Sequence, residues 1–143
     1  MSESTDRSGM MQLSAPEAFA AIALIAVAAD GYITGSESQA ITATLSRMQL
    51  FGEYSGEQKR ELLDRLLTEV KTNGYENLLQ AAIQGIPKDL RETAFAIATD
   101  ITLADGEIAE EEENLLNDLY SSLDISEDIA TQIIDVMVIK NRG

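Results

Sequence analysis

Residues 29–37 read ADGYITGSE, and residues 104–112 read ADGEIAEEE. Both stretches follow the pattern A-D-G-x-I-x-x-x-E, and their aspartates, Asp30 and Asp105, are 75 positions apart. At the same offset the apolar positions before and after the pattern also correspond, which indicates an internal repeat. We call these two stretches the first and the second acidic segment.

The repeat units predict two helix–loop–helix hairpins, one over about residues 16–50 and one over about residues 91–125. Ala and Leu are abundant, the alternation typical of strands is missing and the chain has only two prolines, so helices are predicted throughout. Two hairpins packed together, with the intervening helices and a last helix closing the bundle, predict an all-α, compact bundle of about seven helices. We expect a disordered N-terminal tail over residues 1–13 and a single domain over residues 14–140.

Several helix starts are marked by capping boxes, in which a Ser or Thr precedes a Glu or Gln by three positions. The pairs are Ser14 with Glu17, Thr34 with Glu37, and Ser55 with Gln58. Ser126 is expected to cap the last helix, and Gly74 is expected to separate the third helix from the fourth. A fifth helix is predicted over roughly residues 88–104, after Pro87.

The residue types exclude several classes of function. The chain of 143 residues contains no Cys and no His, so it lacks thiolate and imidazole ligands, the commonest general base and disulfide bonds. Its formal net charge of −15 disfavours nucleic acid and anionic membrane surfaces, and favours cations or a basic protein partner. The negative charge is concentrated in the C-terminal part, because no Lys or Arg occurs between Glu92 and Ile139.

Residues 18–29 form an apolar run, AFAAIALIAVAA, that has two interpretations. It is too short to span a bilayer, and the residues before it lack the basic character of a secretory signal. A related apolar run recurs at residues 94–104, inside the second hairpin. We therefore interpret the first run as a core helix, and we expect a cytoplasmic protein without direct membrane insertion.

One interpretation of the acidic segments is structural. An Asp near a helix end, a Gly suited to positive φ, an Ile that anchors the connection to the core, and a Glu in the next first turn describe a tight helical corner. In this interpretation both acids accept hydrogen bonds from free backbone N–H groups, and no ligand is needed.

A second interpretation is a cation site. The pattern D-G-x-I-x-x-x-E matches the second half of an EF-hand loop, but the first half is missing, because Ala26 and Ala28 stand where ligands would precede Asp30. If the hairpins pack pseudo-symmetrically, four carboxylates could meet, those of Asp30, Glu37, Asp105 and Glu112. Such a cluster repels itself unless protonation or a hard divalent cation, with Ca²⁺ as the first candidate, relieves it.

Two such motifs, each after an Ala-rich helix in an acidic all-helical chain, resemble the TerB family of tellurite-resistance proteins. The resemblance covers roughly residues 14–140. It implies a seven-helix bundle with an acidic surface near the motifs, binding of a divalent cation and a role in stress-response complexes at the membrane. Carried over by position, the motif acids are Asp30, Glu37, Asp105 and Glu112. The first acidic segment departs from the family pattern at Tyr32, Gly35 and Ser36, and is therefore less acidic than the second.

We expect a binding protein without catalytic residues, because the chain shows no nucleophile–base pair, no Gly-rich phosphate loop and no cofactor motif. The first hypothesis is a non-enzymatic stress-response module that binds Ca²⁺, or another hard divalent cation, through the acidic segments. The alternative is a protein-interaction scaffold or co-chaperone-type domain, in which the same acids are structural helix caps and no metal is bound. The expected partner is a protein, either basic or membrane-associated, and not a nucleic acid.

Overall fold

The structure, a computed structural model, describes residues 12–28, 32–103 and 110–142, with Glu111 and Glu112 described by their backbone alone. The described residues form seven α-helices and no strand, so the predicted all-α fold is confirmed. The helices are α1 (Ala15–Ala28), α2 (Gly35–Ser46), α3 (Gly56–Asn73), α4 (Tyr75–Gly85), α5 (Arg91–Thr102), α6 (Glu110–Ser122) and α7 (Glu127–Lys140). The predicted tail at residues 1–13 lies almost wholly outside the described residues, and it stays a prediction.

Helix α1 is the centre of the bundle. It packs against α2, α3, α4, α5 and α6. From Ala18 onward it is apolar on all sides, which is typical of a buried helix. Its alanines let the neighbouring helices approach closely, while Phe19 and Leu24, both fully buried, fill the larger spaces between them. The apolar run is therefore a core helix over its described residues, 18–28. No helix in the described part of the chain is long and apolar enough to cross a membrane.

The predicted capping boxes are present at the starts of α1 and α3. The Ser14 backbone N–H donates to Glu17 Oε1 over 2.9 Å, and the Glu17 N–H donates to Ser14 Oγ over 3.3 Å. At α3 the corresponding distances are 2.8 Å from Ser55 N to Gln58 Oε1 and 3.0 Å from Gln58 N to Ser55 Oγ. Ser126 caps α7 with its hydroxyl, as predicted. Each box satisfies two backbone donors that a helix start would otherwise leave unpaired.

The fifth helix is shorter than the predicted range of residues 88–104. A 3-10 helix over Lys88–Leu90 precedes α5, and α5 itself ends at Thr102. The residue before this 3-10 helix is Pro87, whose side chain cannot cap it. The Leu90 N–H instead donates to the Pro87 carbonyl over 2.9 Å. Without a capping hydroxyl or carboxylate, the chain enters through the tighter i→i+3 turn that often begins a helix.

The two hairpins of the repeat pack against each other. Helix α5 contacts both α1 and α2 of the first hairpin, and α1 contacts both α5 and α6 of the second. Inside the second hairpin the ring of Phe95, in α5, meets the ring of Tyr120, in α6, edge to face at a centroid distance of 6.1 Å. Helix α7 closes the bundle by packing against α5.

Glu17 ties the start of α1 to α3. Its Oε2 accepts a hydrogen bond from Arg65 Nη2 over 2.7 Å. The hydrogen bond from the Ser14 backbone lowers the pKa of the Glu17 carboxyl below its ordinary value of 4.5, partial burial works in the opposite direction, and Arg65 lowers it further. The folded state therefore favours the ionised carboxylate of Glu17. The stability that this carboxylate contributes is complete above pH 4.5 and is lost as the pH falls through the lowered pKa.

We expect Glu17→Gln to lower the free energy of unfolding at pH 7 by about 0.5–1 kcal/mol, because glutamine keeps the capping bond but loses the ion pair. At pH 3 the difference between the wild type and the variant should be smaller than at pH 7, because the contribution of the Glu17 charge declines once the pH falls below 4.5. Urea unfolding of both proteins at pH 7 and pH 3 measures this difference. An unchanged gap at pH 3 would contradict the assigned role of the charge.

Candidate functional site

The first acidic segment is described from residue 32 onward. Thr34 caps α2, with its Oγ1 accepting from the Glu37 N–H over 3.1 Å, and Glu37 Oε1 accepts from the Thr34 N–H over 2.9 Å. Ile33 packs against the core, as the structural interpretation of the segment predicts. The carboxylate of Glu37 therefore has a structural role in the described part of the chain, and this role uses one of its two oxygens.

Three of the four predicted site residues lie outside what the structure describes. Asp30 and Asp105 are not among the described residues, and the side chain of Glu112 is not described either. The predicted meeting of these carboxylates with Glu37 thus stays a prediction. Of the described helices, α1 leads into the first acidic segment and α5 leads into the second.

The flanking helices bring the two hairpins into mutual contact. Each helix that leads into an acidic segment packs on its counterpart, α1 on α5, and also on the helix that follows the other segment. This reciprocal contact, α1 with α6 and α2 with α5, is what a pseudo-symmetric pairing of the repeat units predicts. The repeat read from the sequence is therefore a packing unit of the fold.

The donor chemistry of the chain restricts the cation that such a site would accept. With no His and no Cys, only oxygen ligands are available, and these suit Ca²⁺, Mg²⁺ or Mn²⁺ rather than zinc or copper. Within residues 12–28, 32–103 and 110–142, no group of three or more Asp or Glu side chains is placed to hold a metal ion.

A pocket of about 490 Å³ lies beside the start of α2. Its lining includes Gly35 from the first acidic segment, the polar residues Ser38 and Gln39 of α2, and Arg60 of α3. Arg60 thus brings a positive charge to the surface next to the first acidic segment, where the sequence alone suggested only acids. The sequence signal for this neighbour was weak, because Arg60 and Gly35 are far apart in the chain and only the packing of α2 on α3 brings both to one pocket.

The fold defines a class of protein, an all-α bundle in which two related helical hairpins are each connected by an acidic D-G-x-I-x-x-x-E segment. The family model of TerB, the tellurite resistance protein, matches residues 16–134. The chain therefore belongs to the TerB family, and it is a tellurite-resistance-like domain. No curated protein and no solved structure shows a significant match to it.

Proposed function

We propose that this chain is a non-enzymatic stress-response module that binds a divalent cation, with Ca²⁺ as the first candidate. The ligands in this proposal are carboxylate oxygens of Asp30, Glu37, Asp105 and Glu112. The observation that carries the proposal is the reciprocal packing of the two hairpins, because it brings the helices on either side of the two motifs into contact.

The electrostatics of the chain support a cation as the ligand. Four carboxylates drawn together raise one another's pKa and disfavour the folded state unless a counter-charge is present. Ca²⁺ takes six to eight oxygens, so four side chains leave positions for backbone carbonyls and water. Mg²⁺ is smaller and keeps more of its own water, so we expect it to bind more weakly than Ca²⁺ to a site built from two separate segments.

We expect Ca²⁺ to bind the wild type saturably, and Asp30→Asn and Asp105→Asn each to weaken this binding at least about tenfold. Asparagine keeps the size of the side chain but removes the charge that a hard cation requires. Isothermal titration with CaCl₂, MgCl₂ and MnCl₂ measures the three affinities. Asp64→Asn is the matched control, since Asp64 is an exposed residue of α3 outside both segments.

Two results would reject the cation proposal. One is the absence of any saturable heat with all three cations. The other is an affinity that Asp30→Asn and Asp105→Asn change no more than Asp64→Asn does, because binding would then reflect the overall charge of −15 alone.

The second candidate is a protein-interaction scaffold in which the acids are helix caps and no metal is bound. The observation that favours it is the capping box of Thr34 and Glu37, which already occupies Glu37 Oε1. Glu37→Gln separates the two candidates, because Gln58 shows that glutamine completes a capping box in this same chain. If the acids are only helix caps, neither the wild type nor the variant binds Ca²⁺ and the variant keeps its stability. If Glu37 is a ligand, the variant keeps its stability while its Ca²⁺ affinity falls below that of the wild type.

The proposal places the module in the cytoplasm and gives it no catalytic step. The apolar run that resembles part of a secretory signal is buried as α1 over residues 18–28, so its removal would destroy the core. Neither the motifs nor the residue types of the chain provide a nucleophile paired with a base.

A further inference from the structure

Helix α7 leaves much of its apolar surface uncovered. Eight of its fourteen residues are apolar, yet only Ala130 is buried. Val136 is 56% exposed and Ile139 is 63% exposed, although apolar residues of this size are usually covered in a helix that packs on a core. The cause is the position of α7 at the surface of the bundle, where its main contact is α5.

The uncovered side of α7 forms one wall of a groove of about 310 Å³, and α5 forms the other wall. The surface of this groove is mainly apolar, and an acidic side chain lies at its edge. The apolar lining consists of Ala96 from α5 and of Ile129, Ile133, Val136 and Met137 from α7. Glu92, an exposed residue at the start of α5, lies at the edge of the same groove.

Polar contacts fix both ends of α5, and those at its C-terminal end join it to the end of α7. At one end Arg91 Nη1, at the start of α5, donates over 3.2 Å to the carbonyl of Leu123, the first residue after α6. At the other end Asp100 Oδ1 accepts from Lys140 Nζ over 3.1 Å and from Asn141 Nδ2 over 2.8 Å. The walls therefore run side by side, and a partner would meet a preformed surface with little ordering cost.

The residues around the groove are mostly acidic, which favours a basic partner. No Lys or Arg occurs between Glu92 and Ile139, and Lys140, which follows, is paired with Asp100. Asp128 and Asp135 are exposed and lie two turns apart on α7, each one position before a groove residue. The apolar lining is thus flanked by negative charge on both walls.

We propose that this groove binds a short amphipathic helix with basic residues beside its apolar face, supplied by a partner protein. An apolar strip between acidic edges matches the helix-in-groove mode, in which apolar side chains give contact area and charges set the partner and its direction. The length of α7, about 21 Å for 14 residues, accommodates three to four turns of such a helix. A second copy of this chain fits less well, because each copy carries a net charge of −15 and acidic edges would meet acidic edges.

The test uses a defined peptide rather than an unknown partner. The probe is a fluorescein-labelled 14-residue peptide of Leu, Ala and Lys, arranged so that one helical face is apolar and the other basic. A peptide of the same composition in scrambled order is the first control. Fluorescence anisotropy in buffer with EDTA measures affinity, so the result does not depend on the cation proposal. We expect saturable binding of the amphipathic peptide that weakens as salt rises, and at least tenfold weaker binding of the scrambled peptide.

Pairs of variants, one inside and one outside the groove, test whether the peptide binds in the groove. Val136→Lys should weaken the peptide at least tenfold, while Val138→Lys should change its affinity less than threefold. Both variants change the charge equally on α7, but Val138 is not part of the groove lining. Glu92→Lys, compared with Glu61→Lys on α3, tests the acidic edge in the same way. Circular dichroism establishes that each variant is folded, and Val136→Ala, with an expected smaller loss, serves if the lysine variant is not.

Three outcomes would overturn the proposal. The first is a scrambled peptide that binds as tightly as the ordered one, since that is attraction by net charge alone. The second is an equal effect of Val136→Lys and Val138→Lys. The third is a dimer in sedimentation velocity that Val136→Lys dissociates, because the groove would then be covered by a second copy of this chain.

Discussion

Replacing Phe95 with alanine is expected to lower the free energy of unfolding by about 3–5 kcal/mol, the usual cost of emptying a buried aromatic position. Phe95 is fully buried in α5, and its ring meets that of Tyr120 edge to face with an interplanar angle of 76°. Because α5 contacts α1, α2, α6 and α7, the neighbours are held from several sides and cannot collapse fully into the cavity. The loss should therefore lie near the upper end of that range.

The measurement is chemical unfolding followed by circular dichroism, with Phe95→Leu as the milder variant. Leucine fills most of the space but loses the ring contact, so we expect a loss of roughly 1–2 kcal/mol. Since a domain of this size is stable by only about 5–15 kcal/mol, Phe95→Ala will be partly unfolded under mild denaturing conditions. A loss below about 1 kcal/mol in Phe95→Ala would mean that the second hairpin is loosely packed.

The local parts of this fold could be read from the sequence. A capping box joins groups three positions apart and does not depend on distant residues. The helix starts at Ser14, Thr34 and Ser55 could therefore be predicted from the local sequence. Gly74, with φ of 84° between α3 and α4, was predicted for the same reason, because glycine takes this conformation without a Cβ clash. Family membership also followed from a local pattern, since the duplicated motif is a property of spacing alone.

Contacts between residues far apart in the chain were harder to predict from the sequence. Lys59 looks like a solvated lysine of α3, but it is only 7% exposed, and its Nζ donates to Ser46 Oγ of α2 over 2.6 Å. The groove was missed for a related reason. Periodicity marks an apolar side on α7 but does not show which part of that side a neighbour covers. Met137 lies on this side and looks like a core residue, although it lines the groove.

The candidate cation site could be predicted from the sequence only in part. The offset of 75 positions pairs Asp30 with Asp105 in the repeat, and the mutual packing of the hairpins agrees with that pairing. Whether the two carboxylates point into one space depends on loop conformation, which spacing does not determine. Titration with Ca²⁺ is therefore the experiment that carries the functional question further.

Replacing Gly85 with alanine is expected to lower the free energy of unfolding by about 1–3 kcal/mol, as overpacking usually does. Gly85 ends α4 where it passes the start of α1. A Cβ at this position would lie 2.8 Å from the Leu13 carbonyl oxygen and 3.0 Å from Ala18 Cβ. Neither neighbour is the end of a flexible side chain, so the backbone of α4, of α1 or of the residues just before α1 must move. That movement would also pull on the capping box of Ser14, the next residue after Leu13.

The sign of the effect is what makes this substitution informative. Alanine in place of a helical glycine normally stabilises a protein by about 0.4–1 kcal/mol, because it restricts the unfolded chain. Gly56→Ala, at the first residue of α3, should show that gain, since a Cβ there meets nothing within 4 Å. Thermal and urea unfolding of both variants should therefore give shifts of opposite sign. Equal gains in both would mean that α4 does not approach the chain before α1 this closely.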